Sequence, residues 1–425
     1  VKFQRFLKPA KTRKDQQKPR NQRSTFGSSR VYSALGRTAQ TVPFFSFIRR
    51  SGFLEPNTAS PLMPLQNIIP AEYATQLAEK VALFKQAFTP LGIPEPEIIS
   101  SEALHYRLRA EFHIVHEDKR VDYAMFGADN PKLPVVIEEF PVAVEAIYAI
   151  MPRLREQLQA SNTLKDRLFQ VDFLATLSGE LMITLIYRQP IGPRWEAAAQ
   201  RLATELNVQL IGRSRGRKLV VERDWLLEEF ELNGRTLRYQ QIEGSFTQPN
   251  GGVNRQMLAW ACRQASGLGG DLLELYCGNG NFTVALAPYF ERVLATEVAK
   301  SSVKAAEYNL TANGAENVAV VRLSSEEISA AIDKTKKFTQ LLEVDLDQYH
   351  FSTLFVDPPR SGLDAQTLEF ASRFENIIYI SCNPQTLLEN VVALQATHEI
   401  AATALFDQFP YTPHLESGLL LKRRQ

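Results

Sequence analysis

The chain has 425 residues, is 44% hydrophobic and 22% charged, and carries a formal net charge of +1, an ordinary globular composition with room for two or three domains. It lacks a run of about 18 apolar residues, which argues against a membrane-spanning helix. Its three cysteines, Cys262, Cys277 and Cys382, include no Cys-x-x-Cys pair, which argues against a disulfide framework, a zinc site or an iron–sulfur cluster. We therefore expect no metal and a reducing, cytoplasmic setting.

Residues 1–62 hold 13 Lys and Arg against two acids, leaving 35 basic and 45 acidic residues in 63–425. A nucleic-acid partner of the body must then be met by local basic patches rather than by a global field. Rich in Lys, Arg, Gln, Ser and Pro and without periodicity, 1–62 reads as a disordered basic extension. The chain begins with Val1 and its first methionine is Met63. A coding start placed too early is preferred over an Arg-rich targeting segment or a basic arm attracting RNA.

From 63 to 244 the pattern is α+β and mostly antiparallel. A helix is expected over 71–91. Leu104 to Ile114 alternates strictly, placing Leu104, Tyr106, Leu108, Ala110, Phe112 and Ile114 on one face and His105, Arg107, Arg109, Glu111 and His113 on the other. The polar face is either solvated or a platform for phosphates. Further strands are expected at 120–126, 134–140, 167–177, 180–188, 207–212, 217–222 and 235–242, with helices at 142–159 and 194–206. Phe169 is either core or a stacking surface for a base.

From 245 to 425 strands and helices alternate. Strands at 271–276, 292–297, 317–323, 352–357, 376–381, 400–406 and 417–422 predict a doubly wound, mainly parallel, Rossmann-like sheet of seven strands with a short final pair. The first βα turn contains Gly278 and Gly280, and the second strand ends at Glu297, where a carboxylate can accept both ribose hydroxyls. A third glycine for a pyrophosphate is missing. A cofactor with ribose but no phosphates fits better, and S-adenosyl-L-methionine is the candidate.

The fourth strand ends in Asp357-Pro-Pro-Arg360, where two prolines fix the backbone. The fifth, Ile377-Ile-Tyr-Ile-Ser-Cys382, delivers a thiol to the carboxyl end of a strand, where ligands bind in open α/β sheets. A later loop carries His414 and Glu416. Thiolate, carboxylate and methyl donor suit one reaction: addition of a thiolate to C6 of uracil makes C5 nucleophilic, and a base then removes the C5 proton. Cys382 and Glu416 are the candidates, with the Cys382 pKa expected to be lowered at its strand end.

The segments Ser245-Phe-Thr-Gln248, Leu275-Tyr-Cys-Gly-Asn-Gly-Asn281, Glu297, Phe355-Val-Asp-Pro-Pro-Arg-Ser-Gly362, Ser381-Cys-Asn-Pro384 and Pro410-Tyr-Thr-Pro-His-Leu-Glu416 together resemble the RNA uracil-5-methyltransferases, above all those of bacterial tRNA. The resemblance spans about 63–425. It implies a methyltransferase domain at 245–425, an RNA-binding domain at 63–244, and a monomer acting on the T-arm of tRNA to form 5-methyluridine. It also implies Cys382 as nucleophile, Glu416 as proton acceptor and Arg360 as an organiser of the pocket. Gln248, Tyr276, Gly278, Asn281, Glu297 and Asp357 would line the S-adenosylmethionine site, and Tyr106, Arg107, Arg109 and Phe169 would contact RNA. The rival readings are the same chemistry on ribosomal RNA, an amino-group methyltransferase, and a non-catalytic RNA-binding protein.

Overall fold

The computed structural model describes residues 68–117, 120–126 and 133–425; the extension expected at 1–62 lies outside them. Helix α1 (Tyr73–Phe88) turns Val81, Phe84 and Phe88 inward and leads to a three-residue strand, β1 (Glu97–Ile99). The alternating stretch expected to pair from 104 becomes β2 only at Arg109–Glu117. Ahead of it, His105 has φ +54, and the backbone amides of Tyr106, Arg107 and Leu108 bond to the carbonyls of Val142 and Pro249. Those loops take the hydrogen bonds that a neighbouring strand would need. The alternation survives: Leu108, Ala110, Phe112 and Ile114 are all buried.

Strands β3 (Arg120–Phe126) and β4 (Pro134–Val136), helix α2 (Glu145–Ala160), strands β5 (Leu168–Ala175) and β6 (Leu181–Tyr187), helix α3 (Pro193–Leu206), and strands β7 (Gln209–Ser214) and β8 (Arg217–Val220) follow. They form a sheet ordered β4-β3-β2-β5-β6-β7-β8, antiparallel except where α3 crosses between the parallel pair β6–β7. Buried side chains of α2 and α3 pack on one face with Phe112, Tyr123, Val171 and Phe173. Among the described residues the other face is covered only in part, by Leu226 packed on Leu174, Met182 and Ile211. Leu226 belongs to a hairpin of β9 (Trp225–Leu232) and β10 (Arg235–Ile242). Strand β9 was not expected, because its inward row Leu226, Glu228, Phe230, Leu232 includes a buried glutamate.

The second half alternates as the sequence predicts: α4 (Gly251–Ala265), β11 (Asp271–Leu275), α5 (Asn281–Leu286), β12 (Val293–Thr296), α6 (Lys300–Ala312), β13 (Val318–Val321), α7 (Ser325–Ile332), β14 (Phe351–Val356), α8 (Ala365–Ala371), β15 (Asn376–Ser381), α9 (Pro384–Leu394), β16 (His398–Phe406) and β17 (Glu416–Arg423). The sheet order is β1-β16-β17-β15-β14-β11-β12-β13, with β17 antiparallel to both neighbours. Two expectations are corrected. The sheet has eight strands, because β1 adds parallel to β16. The final pair is long, nine and eight residues, because β17 is clasped between β15 and β16 along most of its length. The phenylalanines of α1 share a core with Leu354, Ile377 and Tyr379, so residues 73–99 pack with the second sheet although they precede 245.

All six residues of β15 are buried, and each large apolar side chain removed from water there contributes roughly 1.5–3 kcal/mol. The chain leaves β11 towards β12 on one side and returns to β14 on the other. That reversal opens a crevice at the carboxyl ends of these strands.

Candidate active site

The first wall of the crevice is the turn after β11. Tyr276 has φ +62, a left-handed conformation that a side chain disfavours, and its hydroxyl bonds to Ser325 Oγ at 3.1 Å. Gly278 has φ +57, and a Cβ there would meet no atom within 4 Å, so conformation rather than crowding calls for glycine. Glu297, at the end of β12, accepts the Gly278 amide through Oε2 (3.1 Å) and the Ala299 amide through Oε1 (2.7 Å). Asn281 and Asn254 exchange side-chain amide bonds at 2.9 and 3.0 Å. Gln248 Oε1 accepts from Gln408 Nε2 at 2.9 Å.

The facing wall carries the reactive groups. Asn383 caps α9, accepting the Gln385 amide, and its Nδ2 donates to the Arg360 carbonyl at 2.9 Å. The loop after β14 is thereby tied to the residue after Cys382. Asn390 holds the far end of that loop: Oδ1 accepts from Leu363 N (2.8 Å) and from the Tyr379 hydroxyl (2.7 Å). Strand register brings the third element in. Ser381 of β15 stands opposite Ser417 of β17, so the next residue of one chain segment, Cys382, and the preceding residue of the other, Glu416, come to the same end of this antiparallel pair, and both line the crevice.

The loop between β16 and β17 is anchored from below. Buried Lys80 of α1 donates to Asp407 Oδ1 (2.8 Å) and to the Phe409 carbonyl (2.9 Å). The loop delivers His414, whose Nδ1 and Nε2 lie 2.8 and 2.9 Å from Arg360 Nη2.

These walls enclose one cavity of about 900 Å³ lined by every expected catalytic and cofactor residue: Cys382, Glu416, Arg360, Gln248, Tyr276, Gly278, Asn281, Glu297 and Asp357. A second cavity of about 400 Å³ shares Tyr276, Glu297 and Pro359 with the first and adds Val298, Leu323 and Ser324, residues not expected from the sequence. Glycine opening into the cavity, a carboxylate at the second strand end and no third glycine fit a nucleoside cofactor without phosphates. Among the described residues there is no group of three or more His, Cys, Asp or Glu placed to hold a metal, and no helix long and apolar enough to cross a membrane.

The electrostatics correct one expectation. Burial, with Glu416 and Asp357 adding negative charge nearby, pushes the Cys382 thiol up to about 12, while Arg360 opposes the rise. Cys382 also precedes the Asn383 cap of α9, but burial and the two carboxyls outweigh any help from that helix N-terminus. Burial also raises Asp357 and Glu416, the latter further through Asp357. Glu274, inside β11 and 1% exposed, rises through burial to about 8. A glutamate in the apolar run Leu272-Leu-Glu-Leu275 was the available signal for this cavity carboxyl. Cys277 and Cys262 are buried thiols packed near the strand turn and in α4, as expected.

The RNA residues divide. Tyr106 is 5% exposed, in the core, with its hydroxyl on the Pro410 carbonyl (3.3 Å); burial removes it from any contact surface. Arg107 lines the cavity instead of the open sheet face, because the chain before β2 is diverted there. Arg109 donates from Nη1 to the Ser245 carbonyl at 2.8 Å. Phe169 stays on the open face, its ring 5.2 Å from that of His113 and 4.3 Å from the Arg188 guanidinium carbon. His113 meets Phe126 on its other side, at 4.9 Å. Arg213 of β7 and Lys218 of β8 pair with Glu243. Phe246, missed in the sequence, is 72% exposed and lines the cavity.

Known proteins carry the same pattern. The sequence profile of a family described as tRNA (Uracil-5-)-methyltransferase matches residues 72–424. A tRNA/tmRNA (uracil-C(5))-methyltransferase of Aromatoleum aromaticum is 69% identical over 362 residues, covering 85% of this chain and 98% of that protein. One of the same description from Dechloromonas aromatica is 63% identical over 362 residues, 85% of this chain and all of its own length. Among solved structures, the Pyrococcus abyssi tRNA (uracil-54, C5)-methyltransferase in complex with S-adenosyl-L-homocysteine is similar in fold, with a TM-score of 0.63 and 22% identity over 82% of this chain and 83% of that one. A profile running through both sheets, with relatives this similar along nearly their whole length, leaves one conclusion: the chain belongs to the tRNA (uracil-5-)-methyltransferase family.

Proposed function

We propose that this enzyme methylates C5 of a uridine in the T-loop of tRNA, forming 5-methyluridine through a covalent bond between Cys382 and C6 of the base. Family membership supports tRNA as substrate and S-adenosylmethionine as donor. The observation that supports the chemical reading is the β15–β17 register, which brings Cys382 and Glu416 to one end of the strand pair, in the cavity that also holds Gly278 and Glu297.

Gln248, Tyr276, Gly278, Asn281, Glu297 and Asp357 would hold S-adenosylmethionine, which when bound supplies an electrophilic methyl group on a sulfonium. Cys382 loses its proton to solvent as its sulfur bonds to C6, and the electron pair of the C5–C6 π bond moves onto C5 and O4. Arg360 supplies positive charge where that negative charge develops. Once C5 carries the methyl group, Glu416 takes the C5 proton and the C6–S bond breaks, returning the sulfur as thiolate. Burial suits Glu416 to this role, since a raised carboxyl is a stronger base once ionised.

A base inside a folded loop reaches this cavity by being extruded from its stack, at a cost of a few kcal/mol. The open face of the first sheet can offset that cost. Phe126, His113, Phe169 and Arg188 form a row of rings ending in a cation, a surface suited to stacking on bases beside a phosphate backbone. The test is to incubate the enzyme and S-adenosylmethionine with tRNA and with ribosomal RNA and to map methylated nucleotides by mass spectrometry. One T-loop uridine methylated at C5 is expected. Preference for ribosomal RNA, or methylation of an exocyclic amine, would overturn the reading.

A further inference from the structure

The cavity holds acids in excess: Glu274, Asp357 and Glu416 all line it along with Cys382. An anion formed there is repelled from several sides and needs a cation held close. Arg360, which comes from the loop after β14 and lines the same cavity as Cys382, opposes the rise of the thiol through its charge. Its carbonyl is fixed by Asn383 and Thr386, but its guanidinium is exposed and long, and needs its own anchor. That anchor is His414, whose two ring nitrogens both lie within 2.9 Å of Arg360 Nη2, so that whichever of them is unprotonated can accept from it.

A guanidinium only donates, so the ring nitrogen it meets must be an acceptor, which requires a neutral imidazole. The surroundings keep it neutral: burial, Arg360 and Lys80 together lower His414 to about 4. The ring is steadied edge-on by Phe409, 6.0 Å between centroids, and Lys80 holds the Phe409 carbonyl. A carboxylate at this position would also hold an arginine, but would cancel the charge it positions.

We propose that His414 is a positioning residue that holds the Arg360 guanidinium beside Cys382 through a neutral acceptor, so that the full positive charge faces the sulfur when the thiol loses its proton. The inference rests on Cys382 being the reacting thiol, and its test is arranged so that the two can fail separately.

The test alkylates the free enzyme with iodoacetamide, without RNA or cofactor, and follows Cys382 by peptide mass spectrometry. The thiol proton goes to solvent and the sulfur displaces iodide from carbon, so the rate reports the thiolate fraction together with the nucleophilicity of the sulfur. His414→Ala should slow alkylation by about threefold for each tenfold loss of thiolate, the more basic sulfur recovering part of the loss. His414→Gln, which keeps a neutral acceptor, should restore most of the rate. His414→Glu, which keeps an acceptor but adds negative charge, should be slower than wild type, and this variant also serves if the alanine variant does not fold. In an Arg360→Ala background, His414→Ala should change nothing further. Wild-type rates in His414→Ala or His414→Glu, or an additional loss in the Arg360→Ala background, would overturn the proposal. Failure of wild-type enzyme to form an RNA adduct through Cys382 would instead remove the nucleophile assignment and leave the alkylation comparison standing as a measurement.

Discussion

The two sheets solve opposite problems. In the second, strands such as β15 are buried along their full length, and Cys382, Glu416, Asp357 and Arg360 gather in one crevice at strand ends. In the first, helices cover one face and a hairpin only part of the other, so polar and aromatic side chains stand along an open face. A pocket where covered strands stop suits chemistry that needs desolvation, and an open sheet face suits contact with a long charged polymer.

The comparison breaks most sharply at Cys382. Cys382→Ala should reduce methyl transfer by at least about 10⁴-fold, as loss of a nucleophile does, with cofactor binding by calorimetry unchanged. An amino-group methyltransferase would keep its turnover. Glu416→Gln should lower turnover by roughly 10²–10⁴-fold while letting a covalent RNA adduct accumulate, visible as a band resistant to denaturant; normal turnover would refute the assignment.

The pH dependence follows from the direction of the shifts. Burial pushes Cys382 up to about 12, so its thiol is protonated at neutral pH in the free enzyme and must lose a proton to act. The single-turnover rate of adduct formation should therefore climb between pH 6 and 8, about tenfold per pH unit where one deprotonation limits it. A profile falling over that range would contradict the electrostatics of the cavity.

Two weaker tests separate the regions. Lys80→Met leaves Asp407 buried without its partner and should cost roughly 3–5 kcal/mol in denaturant unfolding, with reduced turnover because the His414–Glu416 loop loses its anchor. Phe169→Ala removes a stacking surface from the open face and should weaken tRNA binding by roughly 1–3 kcal/mol, raising KM with kcat little changed. A kcat effect as large as that of Glu416→Gln would mean that the open face takes part in the chemistry.

Sequence periodicity by itself determined most of the fold. Apolar runs, alternating stretches and glycine turns are local signals, and they located nearly all the strands and helices, the cofactor turn at Gly278 and the thiol at the end of β15. Where local signals conflict with local structure, tertiary contacts decided: β9 carries a buried glutamate, β1 is too short to read without β16 beside it, and Tyr106 is polar-tipped yet buried. The charge state of Cys382 is likewise a tertiary property. Its pKa depends on carboxyls from β14 and β17 and on a guanidinium held by His414, groups tens of residues apart in sequence that only the closing of the second sheet brings within reach of the sulfur. Pattern in a chain reports which face of an element is covered; how covered groups shift one another's protons depends on distances that exist only after folding.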